Sequence, residues 1–207
     1  MFNIVLYRPE IPANTGNIGR TCVVTGTRLH LVGPLGFSLD SKLLRRAGLG
    51  YWESLDVRTY GDWQGFLEEN GLQGPSGAER LHLLTKKARR TYAESAYADG
   101  DFLVLGSESS GLPETLLAGL PDRCERIPML RDEDALGNRE VWEARDDALH
   151  GEDVAAASAS PLLRQDICGN FVDTASYRIS ALNLSNAAAV VLYEALRQTG
   201  FQGMERG

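Results

Sequence analysis

The sequence predicts an α/β fold in which a mostly parallel sheet is covered by helices on both faces. Short, nearly continuous apolar segments alternate with helical segments along residues 1–128, an order typical of parallel sheets. The 207 residues, 43% of them hydrophobic, suit one domain with a sizeable core. We therefore expect a single domain over residues 1–207 with one insertion.

Each strand is predicted from a short apolar run and each helix from apolar residues spaced three or four apart. The predicted strands are Phe2–Tyr7, Arg28–Gly33, Arg80–Thr85, Asp101–Gly106 and Cys124–Pro128. The predicted helices are Thr15–Thr25, Ser41–Ala47, Asp62–Glu69, Pro113–Ala118 and Ser185–Gln198.

The last predicted helix is apolar on almost every side, which indicates burial on more than one face. Its start is polar, so Asn183 or Ser185 is expected as the N-cap, with Gly200 at the C-cap. A polar helix start also suits a polar ligand. On the sequence of this helix alone, capping is the favoured interpretation, because caps occur on most helices.

Residues 130–178 break the alternating pattern and form the predicted insertion. Within it, Asp132–Asp153 contains nine acidic residues and two arginines, so this segment carries the whole formal charge of −7. The rest of the chain is formally neutral but has basic clusters. These are Lys42, Arg45 and Arg46, followed by Lys86, Lys87, Arg89 and Arg90. Both clusters are compatible with a phosphate-bearing partner.

The start of the chain lacks the basic region of a signal peptide, and no apolar run is long enough to span a membrane. Cys22, Cys124 and Cys168 have unrelated spacings that fit neither a disulfide framework nor a zinc site. The three histidines form no metal-binding motif. We expect a cytoplasmic protein without a metal or a membrane partner.

Two loops follow predicted strands at the edge where α/β proteins bind ligands. In the first, Asn14 or Thr15 is a reasonable N-cap, and Arg20 is expected to face a cleft or solvent. In the second, Gly106 and Gly111 permit close backbone approach, so Gly106 is expected to leave room for a ligand. The second loop lacks the glycine patterns of dinucleotide, nucleoside triphosphate and hydrolase sites.

Four segments together resemble the signature motifs of the SPOUT RNA methyltransferases. They are Asn14 with Arg20, Leu105–Pro113, Arg126–Met129 and Leu182–Asn186. The opening segment 3–18 and residues 44–51 are closest to one branch. Its members methylate the ribose 2′-hydroxyl of cytidine or uridine at the tRNA wobble position. The resemblance covers residues 1–129 and 179–203.

The resemblance implies a deep trefoil knot near the carboxyl end and S-adenosyl-L-methionine as the cofactor. By position, the cofactor-contacting residues would be Leu84, Gly106, Ile127 and Ala181. The catalytic set would be Arg20, Asn14, Glu108 and Asn183. The partners it implies are tRNA and a second copy of the chain, joined through the C-terminal helix.

The resemblance also makes Arg20 a general base. A guanidinium normally stays protonated, however, so we expect Arg20 to orient the acceptor hydroxyl or a neighbouring phosphate.

The sequence departs from the family pattern at Ala181, where a serine is usual, and Ser180 stands one place earlier. Two other functions therefore stay open at the level of the sequence. One is an RNA-binding relative without activity. The other is a serine hydrolase, which would need a histidine close to Ser107 or Ser109.

Overall fold

A computed structural model of the protein describes residues 1–39, 50–130 and 181–205. The predicted helix Ser41–Ala47, the cluster of Lys42, Arg45 and Arg46, Ser180 and almost all of the insertion lie outside the described residues. Residues Met1–Ile127 and Asn183–Gly207 form one compact unit, and Pro128–Leu182 fall outside it.

The described residues contain one six-stranded sheet in which every neighbouring pair is parallel. The strands are β1 (Asn3–Tyr7), β2 (Arg28–Val32), β3 (Val57–Tyr60), β4 (Leu81–Leu84), β5 (Phe102–Leu105) and β6 (Cys124–Glu125). Their spatial order is β3-β2-β1-β5-β4-β6. The chain thus builds outward from β1 through β2 to β3 and then crosses to β4 on the other side of β1, after which β5 fills the place between β1 and β4.

The described helices are α1 (Pro12–Thr25), α2 (Trp63–Glu69), α3 (Gly74–Ala78), α4 (Glu114–Gly119) and α5 (Leu184–Gln198). Short 3₁₀ helices lie at Gly50–Ser54, Tyr92–Glu94 and Pro121–Arg123. None of the helices in the described ranges is both long and apolar enough to cross a membrane.

Helices cover both faces of the sheet, as the continuous apolar strands predict. On one face, Ile18 and Cys22 of α1 and Val191 and Leu192 of α5 pack on side chains of the central strands such as Leu6. On the other face, the core includes Val5 and Val104 of the sheet with Phe66 of α2 and Leu117 of α4. Burial on both faces fixes the strand ends relative to α1 and α5.

The predicted N-cap of α1 is wrong. The helix begins at Pro12, its N-cap residue is Ile11, and neither Asn14 nor Thr15 caps it. A proline fits the first helical position because its φ angle is preset and an N–H is not needed there. The side chain of Asn14 is therefore free to make contacts away from its own helix.

Two regular elements were not predicted. Strand β3 lies at the sheet edge and has two exposed residues, so its sequence lacks the apolar run of a buried strand. The sequence of helix α3 is typical of a turn, since its residues are Gly74, Pro75, Ser76, Gly77 and Ala78. Pro75 nevertheless lies in its first turn, a position that a helix tolerates.

Candidate active site

The loops after β1 and β5 meet at the point where the order of the sheet reverses. Strand β1 pairs with β2 on one side and with β5 on the other, both in parallel. The carboxyl ends of β1 and β5 are therefore adjacent, and their loops leave the sheet at the same edge. In open α/β sheets this is the place where ligands bind.

Glu108, in the loop after β5, connects this loop to the start of α1. One carboxylate oxygen accepts a hydrogen bond from the main-chain N–H of Glu10, at 2.8 Å. The other accepts from the N–H of Ile11 at 3.3 Å and from Nδ2 of Asn14 at 3.0 Å. Because α1 has no side-chain cap of its own, Glu108 supplies the negative charge that a helix N-terminus favours.

Asn14 is fully buried and extends the contact from Glu108 to the last helix. Its Oδ1 accepts a hydrogen bond from Nδ2 of Asn183 at 2.9 Å. The Oδ1 of Asn183 accepts from the N–H and the hydroxyl of Ser185, at 2.8 and 2.6 Å, and so caps α5. Asn183 is thus an N-cap, as the sequence predicts, and at the same time belongs to a side-chain network with Asn14 and Glu108.

At its opposite end α5 ends at Gln198 as predicted, but the predicted C-cap is wrong by one residue. The C-cap residue is Thr199, and Gly200 follows it with a φ of 75°. The N–H of Phe201 donates to the carbonyl of Leu196 and that of Gly200 to Arg197, which is the Schellman arrangement.

Arg20 lies on the exposed side of α1, as the sequence predicts, and its contact is aromatic. Its guanidinium lies 5.1 Å from the ring centroid of Tyr51. The hydroxyl of Tyr51 donates to the main-chain carbonyl of Gly16 at 2.5 Å, which fixes the ring against α1. The structure thus brings together three members of the predicted catalytic set and holds Arg20 on a separate aromatic support.

The loop that begins at Gly106 closes on itself. Ser107 and Gly111 exchange main-chain hydrogen bonds, and the hydroxyls of Ser107 and Ser110 are 2.7 Å apart. A Cβ atom at Gly106 would overlap the backbone of Gly111 and Leu112. The expectation that Gly106 leaves room for a ligand is therefore wrong. The space that a side chain at Gly106 would need is filled by the backbone of Gly111 and Leu112.

Three of the four predicted cofactor residues lie at the carboxyl ends of neighbouring strands. Leu84 is the last residue of β4 and is in register with Leu105 of β5, which precedes Gly106. Ile127 follows β6, and both Leu84 and Ile127 are half-buried against the core. Ala181 is exposed and belongs to the segment Pro128–Leu182, so its place in the site stays a prediction.

The described serines and histidines do not form a hydrolase site. Ser109 donates to Glu10, while the hydroxyl of Ser107 bonds to Ser110. His30 contacts Tyr60 and Asn3, and His82 contacts Asp101 and Glu125. His150 lies outside the described residues. Within the described ranges, no cluster of three or more metal-ligating side chains is present.

Sequence reasoning missed Glu10 and Tyr51 as site residues and named Ser109 only as a candidate hydrolase nucleophile. Glu10 and Ser109 lie on the two loops already singled out, and that was the only available signal. Tyr51 lies 31 positions after Arg20 and meets it only through the packing of the 3₁₀ helix on α1. Contacts of this kind cannot be obtained from spacing along the chain.

The chain matches the SpoU rRNA Methylase family over residues 1–136. It is 40% identical over 204 residues to the tRNA (cytidine(34)-2′-O)-methyltransferase of Saccharophagus degradans, covering 98% of this chain and 99% of that protein. A solved structure described as giving structural insights into the 2-OH methylation of C/U34 on tRNA is 34% identical, with a TM-score of 0.65 and coverage of 96% of both chains.

The fold recurs in more distant proteins. The AdoMet-bound rRNA methyltransferase from Sinorhizobium meliloti is 20% identical, with a TM-score of 0.61, and the match covers 95% of this chain and 56% of that one. The family match spans more than half of the chain, and the relative above matches nearly its full length. This chain belongs to the SpoU family of RNA methylases.

Proposed function

We propose that this protein is an S-adenosylmethionine-dependent enzyme. It would methylate the ribose 2′-hydroxyl of cytidine or uridine at position 34, the wobble nucleotide of the tRNA anticodon. The observation that carries the proposal is the hydrogen-bonded chain from Glu108 through Asn14 to Asn183. It joins three sequence motifs of the family at the switch point of the sheet, where an acceptor and a cofactor can meet.

The residues at this edge fit the cofactor. Leu84 and Ile127 offer half-buried apolar surface, and the Gly106 loop follows β5 at the same edge of the sheet. A related fold carries AdoMet. When bound, S-adenosylmethionine supplies a methyl group on a positively charged sulfur. We assign Leu84, Gly106 and Ile127 to its site, with Ala181 as a further contact.

The acceptor side belongs to Arg20, Asn14, Glu108 and Asn183. Methyl transfer requires an oxygen nucleophile in line with the leaving sulfur, so orientation is the main contribution that the protein can make. Arg20 has five N–H donors that can orient the ribose hydroxyl or a neighbouring phosphate. Asn14, Glu108 and Asn183 hold the start of α1 and thereby the helix that carries Arg20.

The basic cluster after β4 is the proposed contact to the tRNA backbone. Lys86, Lys87 and Arg89 are exposed, and they follow β4 at the same edge of the sheet as the Gly106 loop. Lys87 forms an ion pair with Glu114, and exposed pairs of this kind are weak enough to exchange for a phosphate. An anticodon loop offers splayed nucleotides that a protein can read individually.

We further propose a homodimer joined through α5, a trefoil knot formed by the C-terminal part of the chain, and a cytoplasmic location. Val190 and Tyr193 support the dimer, since they are 38% and 48% exposed on the side of α5 that does not face the sheet. The knot and the location rest on the family and on the bacterial tRNA modification enzymes among its members.

Two experiments test the activity. Calorimetry with S-adenosylmethionine should show binding, whereas a hydrolase should not bind it. Mass spectrometry of tRNA from a deletion strain should show that the first anticodon nucleotide lacks its 2′-O-methyl group, and purified protein should restore it. If that nucleotide stays methylated while another ribose loses its methyl group, the assigned substrate is wrong although the enzyme class is right.

A further inference from the structure

Each of the loops after β1 and β5 carries a glutamate whose carboxylate accepts hydrogen bonds from the other loop. Glu108 on the second loop accepts hydrogen bonds from the main-chain N–H groups of Glu10 and Ile11 on the first. Glu10 on the first loop accepts in return from the N–H and the hydroxyl of Ser109 on the second, at 3.1 and 2.7 Å. Each carboxylate therefore binds the backbone of the opposite loop.

The exchange connects the two sides of the proposed reaction. The second loop begins with Gly106, which is assigned to the cofactor, and also carries Glu108, which is assigned to the acceptor side. Its other described bonds, between Ser107 and Gly111 and between Ser107 and Ser110, are internal to the loop. Glu10 instead ties the tip of the loop to the start of α1, the helix of Asn14 and Arg20.

The geometry suggests a specific function for Glu10. Charge-assisted hydrogen bonds are shorter and stronger than neutral ones, and two of them on one carboxylate restrict both position and rotation of the partner. Without Glu10, Ser109 would lose both bonds, and the adjacent Glu108 would be held only through its own carboxylate. The loop after β5 could then shift relative to α1 while the sheet and its core remain intact.

We propose that Glu10 is a positioning residue for methyl transfer, which holds the Gly106–Gly111 loop in register with α1. This inference rests on the proposed function. Glu10 contacts Ser109 rather than the reacting atoms, so it acts on the cofactor and on Glu108 through the loop. Its loss should affect cofactor binding and turnover more than tRNA binding.

The test compares Glu10→Ala, Glu10→Gln and a control, Glu69→Ala, which removes an exposed carboxylate at the end of α2. Calorimetry gives the Kd for S-adenosylmethionine, methylation of tRNA gives kcat and KM, and thermal unfolding gives Tm. Glu10→Ala should weaken cofactor binding about tenfold and lower kcat. The KM for tRNA should match the control.

Glu10→Gln should retain most of the cofactor affinity and most of the kcat that Glu10→Ala loses. The carboxamide oxygen can accept from the Ser109 N–H, and the carboxamide nitrogen can donate to the Ser109 hydroxyl after that hydroxyl rotates. A purely structural role would instead appear as a lower Tm with unchanged Kd and kcat.

A double-mutant cycle with Ser109→Ala completes the test. Ser109→Ala removes the hydroxyl but not the N–H, so alone it should weaken cofactor binding less than Glu10→Ala, and it should add nothing to Glu10→Ala. Additive effects, or a folded Glu10→Ala variant with wild-type Kd and kcat, would overturn the inference. A wild-type protein that neither binds the cofactor nor methylates tRNA would contradict the proposed function instead.

Discussion

His30, buried between the sheet and α2, has hydrogen-bond partners that fix the tautomer of its neutral ring. Nδ2 of Asn3 donates to the carbonyls of Gly100 and Asp101, so its Oδ1 is an acceptor and Nε2 of His30 must carry the proton. Nδ1 then accepts from the hydroxyl of Tyr60 at 2.8 Å. Burial, helped by two nearby arginines, lowers the pKa of His30 to about 3.

This pKa predicts that His30 makes the fold sensitive to acid. Between pH 6.5 and 3 the unfolded chain binds a proton at His30 and the folded chain does not, so its contribution to stability falls as the pH falls. From pH 7 to pH 5 the expected loss is about 2 kcal/mol. Urea unfolding at both pH values should show a smaller loss for His30→Gln, and an equal loss would contradict the assignment.

His82 has the opposite environment. Its Nδ1 bonds to Glu125 at 2.6 Å and its Nε2 to Asp101 at 3.1 Å, so both ring nitrogens face carboxylates. Burial alone would lower the pKa of His82, but the two carboxylates outweigh it and raise the pKa. Because the folded pKa is raised, His82 contributes to folding stability below pH 6.5, and this contribution is lost as the pH rises through the folded pKa. On acidification it therefore partly offsets the loss of stability caused by His30.

Tyr51 provides a test of Arg20. Arg20→Ala should abolish methyl transfer and largely spare cofactor affinity, because Arg20 is assigned to the acceptor. Tyr51→Leu should lower kcat several-fold, since the guanidinium loses the ring that orients it, and cation–π contacts are worth about 0.5–1 kcal/mol at exposed sites. Tyr51→Phe keeps the ring but loses the hydroxyl bond to Gly16 that fixes it, so its activity in a radiolabelled methyl-transfer assay should lie between wild type and Tyr51→Leu. Methyl transfer at the wild-type rate by Arg20→Ala would exclude the catalytic assignment of Arg20.

At the scale of the elements, the loop after β5 requires a glycine at its first position. Gly106→Ala places a Cβ against the backbone of Gly111 and Leu112, whereas Gly119→Ala at the end of α4 meets open space. Overpacking should cost Gly106→Ala about 1–3 kcal/mol, and Gly119→Ala should be neutral or slightly stabilising. Thermal unfolding of the two variants measures the difference; equal Tm values would show that the loop can open without cost.

The central strands of the parallel sheet could be predicted because they are buried on both faces and their sequences are continuous apolar runs, whereas the edge strand β3 could not. Asn14 and Asn183 could be predicted as site residues from the family motifs, but their direct hydrogen bond joins positions 169 residues apart. The start of α1 could not be predicted from capping preferences, since its cap is a carboxylate from another loop. Long-range polar contacts of this kind depend on the tertiary fold rather than on local sequence.

For the whole molecule, charge distribution matters more than the formal net charge of −7. Phosphate contacts dominate nucleic-acid affinity, and a segment carrying all of this charge repels them. Deleting much of Asp132–Asp153, which lies outside the described residues, should therefore leave tRNA affinity equal or better at low salt. Binding titrations over a series of salt concentrations measure this tRNA affinity. Affinity lost on deletion, with cofactor binding intact, would mean that this segment contacts RNA directly.

The proposed homodimer depends on the exposed side of helix α5. Ala188, Val191 and Ala195 bury one side of it against the sheet, while Val190 and Tyr193 are exposed on another. Exposed apolar side chains on an otherwise packed helix favour a two-fold interface with a second copy, since the same patch then covers itself. The dimer would bury what a single chain leaves in water.

A charge placed in that interface should separate the two copies. Tyr193→Glu should convert the dimer to a monomer, because a carboxylate buried opposite its own symmetry mate is unfavourable. Gln64→Glu adds the same charge on α2, which covers the other face of the sheet, and should leave the dimer unchanged. Sedimentation at micromolar concentration gives the molecular mass of each variant. A Tyr193→Glu protein that still sediments as a dimer would contradict an interface centred on Tyr193.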